Sequence, residues 1–97
     1  MLIKAGVDIS RLKPEIRKKL PIIARELDAN GVELVITSTY EGSHSEGSLH
    51  YANLAIDIRV PKKDINYLCT LLAKELNKDY DIVSEPSHIH IEYDPKQ

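Results

Sequence analysis

The sequence predicts an α+β domain in which helices pack on one face of a small, mainly antiparallel sheet. Two segments carry apolar residues at helical spacing, and four short segments carry the β-branched or alternating patterns typical of strands. Their order along the chain is helix, strand, strand, helix, strand, strand. The 97 residues are enough for a single domain, with N-terminal helices over about 14–30 and the rest of the core over about 33–93.

The first helical segment, residues 14–30, contains a proline that a continuous helix does not tolerate. Pro21 removes a backbone hydrogen bond and clashes with the preceding turn, so we expect a kink or two abutting helices there. The apolar residues of this segment recur at spacings of four, three and four and form one stripe: Ile16, Leu20, Ile23 and Leu27.

The remaining elements follow from short patterns. A second helix is predicted over about 64–77, with Asp64 as its N-terminal cap and an apolar stripe on one face. Strands are predicted at 33–40, 54–60, 81–83 and 88–93.

The last strand, HIHIEY, separates its side chains by period two. His88, His90 and Glu92 point to one face, and the intervening isoleucines and Tyr93 point to the other. The isoleucines are expected in the core, so the histidines share the wetter face.

Composition disfavours several function classes. The formal net charge of −2 argues against nucleic acid as a main partner, and the single Cys69 cannot form an internal disulfide. The N-terminus has no long apolar run typical of a signal peptide or membrane span, so we expect a cytoplasmic protein as synthesised, with no membrane partner.

All four histidines lie in two short stretches, 44–59 and 84–94, and this clustering predicts a metal site. His50 and Asp57 flank the start of one strand, and a neighbouring HxH strand is the obvious source of a third ligand. Asp57 stands between two isoleucines, where an unpaired carboxylate is costly. The residues alone leave open whether His88 or His90 completes the site.

The stretch HSEGSLHYANLAIDIR, followed by EPSHIHIE, resembles the zinc site of the LAS or M15 metallopeptidases. This superfamily includes D-Ala-D-Ala carboxypeptidases, L-Ala-D-Glu endopeptidases and the hedgehog signalling domain, to which the first motif is most similar. The family pattern is SxHxxGxAxD, then a late HxH. The resemblance covers about residues 30–93 and implies a hedgehog/DD-peptidase-like fold that binds Zn²⁺.

The resemblance also implies roles for individual residues. His50, Asp57 and His90 correspond to the zinc ligands, Glu85 to the general base, and His88 to a group beside the developing oxyanion. A competing alignment with the EPxH motif of some carboxypeptidases makes His88 the third ligand.

Two further residues are candidates for supporting roles, and two positions depart from the pattern. His44 corresponds to a histidine behind the ligands in hedgehog-like proteins, and Arg59 lies two residues beyond Asp57 on the same strand face. Asn53 replaces the family glycine and is expected at positive φ. Glu41 stands where many of these peptidases have a substrate-binding arginine, which disfavours carboxypeptidase specificity, and Arg59 is the candidate substitute.

Two functions follow from the resemblance. The first is a zinc-dependent hydrolase of bacterial cell-wall peptides, with peptidoglycan as substrate, which uses metal-activated water. A phage-type endolysin of this kind is expected to be released to the cell wall. The second is a non-catalytic zinc-binding interaction module similar to the hedgehog domain, such as a phage structural component.

Overall fold

The computed structural model describes residues 1–42, 44 and 47–95. Its elements form a mixed five-stranded sheet in the order β1-β2-β3-β5-β4, in which β1 and β2 are parallel and the other three pairs are antiparallel. The elements are β1 (Leu2–Ile3), α1 (Pro14–Arg17), α2 (Leu20–Asp28), β2 (Val35–Ser38), β3 (Ala55–Arg59), α3 (Ile65–Leu76), β4 (Tyr80–Ser84) and β5 (His88–Tyr93). The predicted α+β class is confirmed. The sequence patterns did not reveal β1, because two residues show no periodicity.

The predicted break in the first helical segment is confirmed. The segment divides into α1 and α2, and Pro21 lies in the first turn of α2. A residue in that turn has no intrahelical partner for its N–H, so proline is tolerated there.

The prediction that the side chain of Asp64 caps α3 is wrong. Asp64 occupies the N-cap position but adopts a left-handed conformation with φ of 57°, and its side chain makes no capping hydrogen bond. A capping side chain needs extended backbone to reach the free N–H groups of the first turn. Asp64 contributes only its carbonyl oxygen, which accepts from the N–H of Leu68 at 2.9 Å.

The core lies on one face of the sheet. Ile56 of β3 pairs with Ile91 of β5, and Ile58 pairs with Ile89, so the four isoleucines meet on the same side. They form one buried cluster with the apolar stripes of the helices, including Ile16, Ile23, Leu27, Leu68, Leu72 and Leu76. The opposite face of β3 and β5, which we term the outer face, is therefore left for polar side chains.

No helix in the described part of the chain is both long enough and apolar enough to cross a membrane.

Candidate metal centre

The register between β3 and β5 brings two polar residues together on the outer face. Asp57 lies directly opposite His90, and Arg59 lies opposite His88. Directly opposite residues in an antiparallel pair have side chains within about 4.5–5.5 Å of each other at Cβ. The alternation predicted for HIHIEY is confirmed, since Ile89 and Ile91 are buried while His88 and His90 are half-buried.

His50 reaches the same point from a tight turn. The N–H of Leu54 donates to the carbonyl of Leu49, and the N–H of Asn53 donates to the carbonyl of His50, both at 3.0 Å. This pair of hydrogen bonds is typical of a helical turn that ends at a residue in the left-handed conformation, which here is Asn53. Asn53 has φ of 62°, which confirms the conformation expected where the family pattern has glycine.

Three atoms converge at this point. His50 Nε2 lies 3.0 Å from Asp57 Oδ1 and 3.0 Å from His90 Nδ1, and His90 Nδ1 lies 3.1 Å from Asp57 Oδ1. A tetrahedral ion with bonds of about 2.0–2.1 Å holds its ligand atoms about 3.3–3.4 Å apart. The triangle is only a few tenths of an ångström smaller than one face of that tetrahedron. We term these three residues the ligand triangle.

Outer hydrogen bonds determine which ring nitrogens face the triangle. His50 Nδ1 lies 2.7 Å from the carbonyl oxygen of Thr39, and His90 Nε2 lies 2.6 Å from Glu92 Oε1. Both oxygens only accept, so each of these nitrogens carries the proton. The opposite nitrogens, His50 Nε2 and His90 Nδ1, then present lone pairs to the triangle.

All three atoms of the ligand triangle are therefore hydrogen-bond acceptors. Two imidazole lone pairs and a carboxylate oxygen within 3.1 Å repel one another unless a proton or a metal ion lies among them. Asp57 and His50 are only 6% and 2% exposed, so water screens this repulsion poorly. Two imidazoles and one carboxylate are a common donor set for divalent transition metals, and the residues fit such an ion.

The close contacts within the ligand triangle also shift the pKa values of Asp57 and His90. Burial raises the pKa of the Asp57 carboxyl, but His50 and His90, when their ring nitrogens facing Oδ1 are protonated, donate hydrogen bonds that outweigh burial and hold that pKa well below its usual range. The hydrogen bond to Asp57 raises the pKa of His90 against the opposing effect of burial, and Glu92 adds to the rise. A proton on His90 thus competes with a cation for the ligand triangle.

His44 also lies close enough to belong to a metal site. One ligand atom from each of His44, His50 and Asp57 falls within 4.8 Å of the others, and this group could hold a metal ion. The His44 ring stacks on the His50 ring with 3.8 Å between centroids and 9° between planes. Its Nε2 lies 2.8 Å from the carbonyl oxygen of Glu41 and 3.1 Å from Ser38 Oγ.

Glu85 and His88 line a cavity of about 630 Å³ that opens onto the ligand triangle. His88 Nε2 lies 3.7 Å from Asp57 Oδ1. The Glu85 carboxylate is exposed and makes no hydrogen bond or ion pair with any residue in the described ranges. Both residues thus share the cavity with the ligand triangle.

Glu41 is turned away from this cavity. Its carboxylate accepts from the N–H and the hydroxyl of Thr39, at 2.9 and 2.7 Å, and from the N–H of Asp8. Burial raises the pKa of Glu41, but these hydrogen bonds outweigh burial and lower it. The Glu41 carboxylate therefore ties the N-terminal segment to the end of β2. Arg59 lies on the outer face beside Asp57 and His88.

Two partners of the ligand triangle were not foreseen. Glu92 lies two residues beyond His90 on the same strand face, so period-two spacing could have identified it as the partner of His90. The partner of His50 is the backbone carbonyl of Thr39, which leaves no signal in the residue type.

No protein-family model, curated protein or solved structure matches the chain.

Proposed function

We propose that the protein is a zinc-dependent peptidase that hydrolyses bacterial cell-wall peptides, with His50, Asp57 and His90 as the metal ligands. The observation that carries the proposal is the ligand triangle, whose three acceptor atoms lie 3.0–3.1 Å apart and open onto the cavity that contains Glu85. The resemblance of its motifs to those of the LAS or M15 metallopeptidases supports the choice of zinc and of substrate.

The geometry favours His90 over His44 as the third ligand. A metal lies near the plane of an imidazole that binds it, and the His44 ring is parallel to that of His50 and displaced by stacking. Because a ring-nitrogen lone pair lies in the plane of its ring, the lone pairs of these two stacked rings run in parallel planes and would not converge on one ion. His44 instead supports the site by packing on the His50 ring.

Outer carboxylates often strengthen histidine ligands. The Glu92 carboxylate accepts from His90 Nε2 and so increases the basicity of Nδ1, the atom that faces the triangle. The carbonyl of Thr39 does the same for His50. Both ligands are thus held in one tautomer and one ring orientation.

Bound zinc supplies Lewis acidity toward the substrate carbonyl and acidifies water at the site. Glu85 accepts a proton from the attacking water and delivers it to the leaving amine. Its carboxylate accepts no hydrogen bond from the described residues, which leaves both oxygens available. His88 Nδ1 lies 2.9 Å from Ser87 Oγ, while Nε2 faces the site and donates to the developing oxyanion.

The test is direct cleavage of the proposed substrate. The zinc-loaded chain is incubated with purified peptidoglycan fragments, and the products are identified by mass. Glu85→Gln should lower kcat by about 10²-fold or more. Glu75→Gln, which removes an exposed carboxylate from α3, should leave cleavage unchanged.

Failure of the wild type to cleave, with zinc shown to be bound, would refute the peptidase proposal. Parallel loading with iron(II) checks the metal, because two histidines and one carboxylate also suit that ion. Oxygen consumption by the iron-loaded protein, without peptide cleavage by the zinc form, would assign the site to a different reaction class.

A second candidate is a non-catalytic zinc-binding interaction module, and the position of His88 favours it. His88 Nε2 lies 3.7 Å from Asp57 Oδ1, so a modest side-chain rotation could supply a fourth protein ligand. Structural zinc sites are closed by four protein ligands. His88→Ala distinguishes the two, because it should weaken zinc binding at least about tenfold in a closed site and leave it nearly unchanged in an open one.

A further inference from the structure

We propose that a basic pocket on the outer face of the sheet, formed by Lys4, Thr37 and Arg59 beside the ligand triangle, binds a carboxylate of the substrate. This inference rests on the proposed peptidase function and specifies which substrates the site selects. The pocket has a volume of about 380 Å³ and also contacts Asp57 and His88.

The sheet itself assembles the pocket. The N–H of Lys4 donates to the carbonyl of Ile36 at 2.9 Å, which places Lys4 beside Thr37 of β2. Arg59 of β3 lies directly opposite His88 of β5. One residue from each of four neighbouring chain segments thus forms a row across the outer face.

The two cations are available to bind a ligand. Within the described residues, neither Lys4 nor Arg59 makes an ion pair or a side-chain hydrogen bond, and both side chains are exposed. Asp57 contacts His50 and His90 rather than Arg59, although Arg59 and Asp57 lie on the same face of β3. A guanidinium and an ammonium on one pocket, with the hydroxyls of Thr37 and Ser87 nearby, are a suitable donor set for a carboxylate.

The charges on the two sides of the triangle differ in sign. The cavity on one side is lined by Glu85, Glu92 and Asp94, whereas the pocket on the other side carries Lys4 and Arg59. Asp57 lines both the cavity and the pocket, and a cation bound there would neutralise its carboxylate. The basic side then attracts anions, and the acidic side repels them, so a substrate with one carboxylate has a preferred direction.

The pocket also lies at the right distance from the reacting bond. Arg59 is two residues along β3 from Asp57, a separation of about 6.7 Å between Cα atoms. One extended peptide residue spans about 3.3–3.6 Å. The bound carboxylate therefore belongs to a residue within about two positions of the cleaved bond, either as a C-terminus or as a side chain.

The test compares three synthetic wall-peptide fragments with the zinc-loaded protein. One fragment carries all its carboxylates, one has its C-terminus amidated, and one has its side-chain carboxylate amidated. Binding is measured by calorimetry, which needs no cleavage. We expect the parent fragment to bind at least about tenfold more tightly than one of the amides, and the amide that loses affinity identifies the carboxylate.

Variants assign the difference to the pocket. Arg59→Gln and Lys4→Gln should each reduce the preference for the parent fragment, and the double variant should abolish it. Lys74→Gln, which removes an exposed cation from α3, should leave the preference unchanged. All three side chains are exposed, so the variants should fold, and circular dichroism checks this.

Three results would refute the proposed pocket: equal affinity for all three fragments, no measurable binding, or a preference for the parent fragment that survives in the double variant. Cleavage of the same fragments is followed separately. If the protein discriminates between the fragments in binding but cleaves none of them, the pocket proposal stands and the peptidase proposal is refuted. If it cleaves them without discriminating in binding, the peptidase proposal stands and the pocket proposal is refuted.

Discussion

The hydrogen bond between His90 and Glu92 offers the sharpest test of the ligand triangle. Glu92→Gln keeps the size of the side chain and removes its charge, so the short 2.6 Å contact with His90 Nε2 becomes a neutral hydrogen bond. Charge-assisted hydrogen bonds are about twice as strong as neutral ones. If His90 Nδ1 binds zinc, the loss of this partner lowers the basicity of the ligand atom.

The expected magnitude follows from comparable metal sites. Loss of an outer partner of a histidine ligand weakens metal affinity by about 10–100-fold. That range corresponds to about 1.4–2.7 kcal/mol of binding free energy. Competition with a chromophoric chelator of known affinity, at neutral pH, measures the zinc Kd of each variant.

Glu85→Gln is the matched control, because Glu85 lines the same cavity but contacts no ligand of the triangle. It should leave the zinc Kd within about twofold of the wild type and lower kcat by about 10²-fold or more. An unchanged Kd in Glu92→Gln, or an equal loss of affinity in both variants, would refute the assignment of His90 as a ligand.

Three further predictions concern pH and stability. His90 must lose a proton before Nδ1 can bind a metal, and the hydrogen bond to Asp57 raises the pKa of His90 above the ordinary 6.5. The apparent zinc Kd should therefore rise about tenfold per pH unit as pH falls below that raised pKa. Chelator competition across pH tests this, and a flat profile would contradict it. Glu41→Gln should destabilise the protein by about 1–3 kcal/mol at neutral pH, since the bonds to Thr39 and Asp8 lose their charge. The lowered pKa of Glu41 means that its contribution is present above the ordinary value of 4.5 and is lost as pH falls through the folded-state value, so in urea denaturation the variant and the wild type should converge in acid. Asn53→Gly should change stability by less than about 1 kcal/mol, whereas Asn53→Ala should cost about 1–2 kcal/mol at a φ of 62°; equal thermal stability of the two variants would show that the turn does not require this conformation.

The helices and strands were largely predictable because their signals are local. The stripe in α2 and the alternation in β5 depend only on spacing between neighbours in the chain, and Pro21 marks the helix break by its own chemistry. The side-chain cap proposed for Asp64 failed because capping depends on the backbone conformation that precedes the helix. That conformation is determined by the whole connection from β3.

The candidate site was predictable in part for the same reason. The spacing of His50 and Asp57, and the shared face of His88 and His90, could be read from the chain. The distances that bring His50 Nε2, Asp57 Oδ1 and His90 Nδ1 together required the register of β3 against β5 and the turn at Asn53.

The sequence by itself determined the residue types of the site, the faces on which they lie and the two segments that carry them. Only the tertiary structure decided which atoms converge, that Glu92 and the Thr39 carbonyl orient the two imidazoles, and that Glu41 is directed away from the cavity. Residue type and periodicity are properties of neighbours along one chain segment. Strand register, backbone carbonyl partners and the approach of Lys4 to Arg59 arise between segments far apart in sequence, and therefore exist only once the sheet has formed.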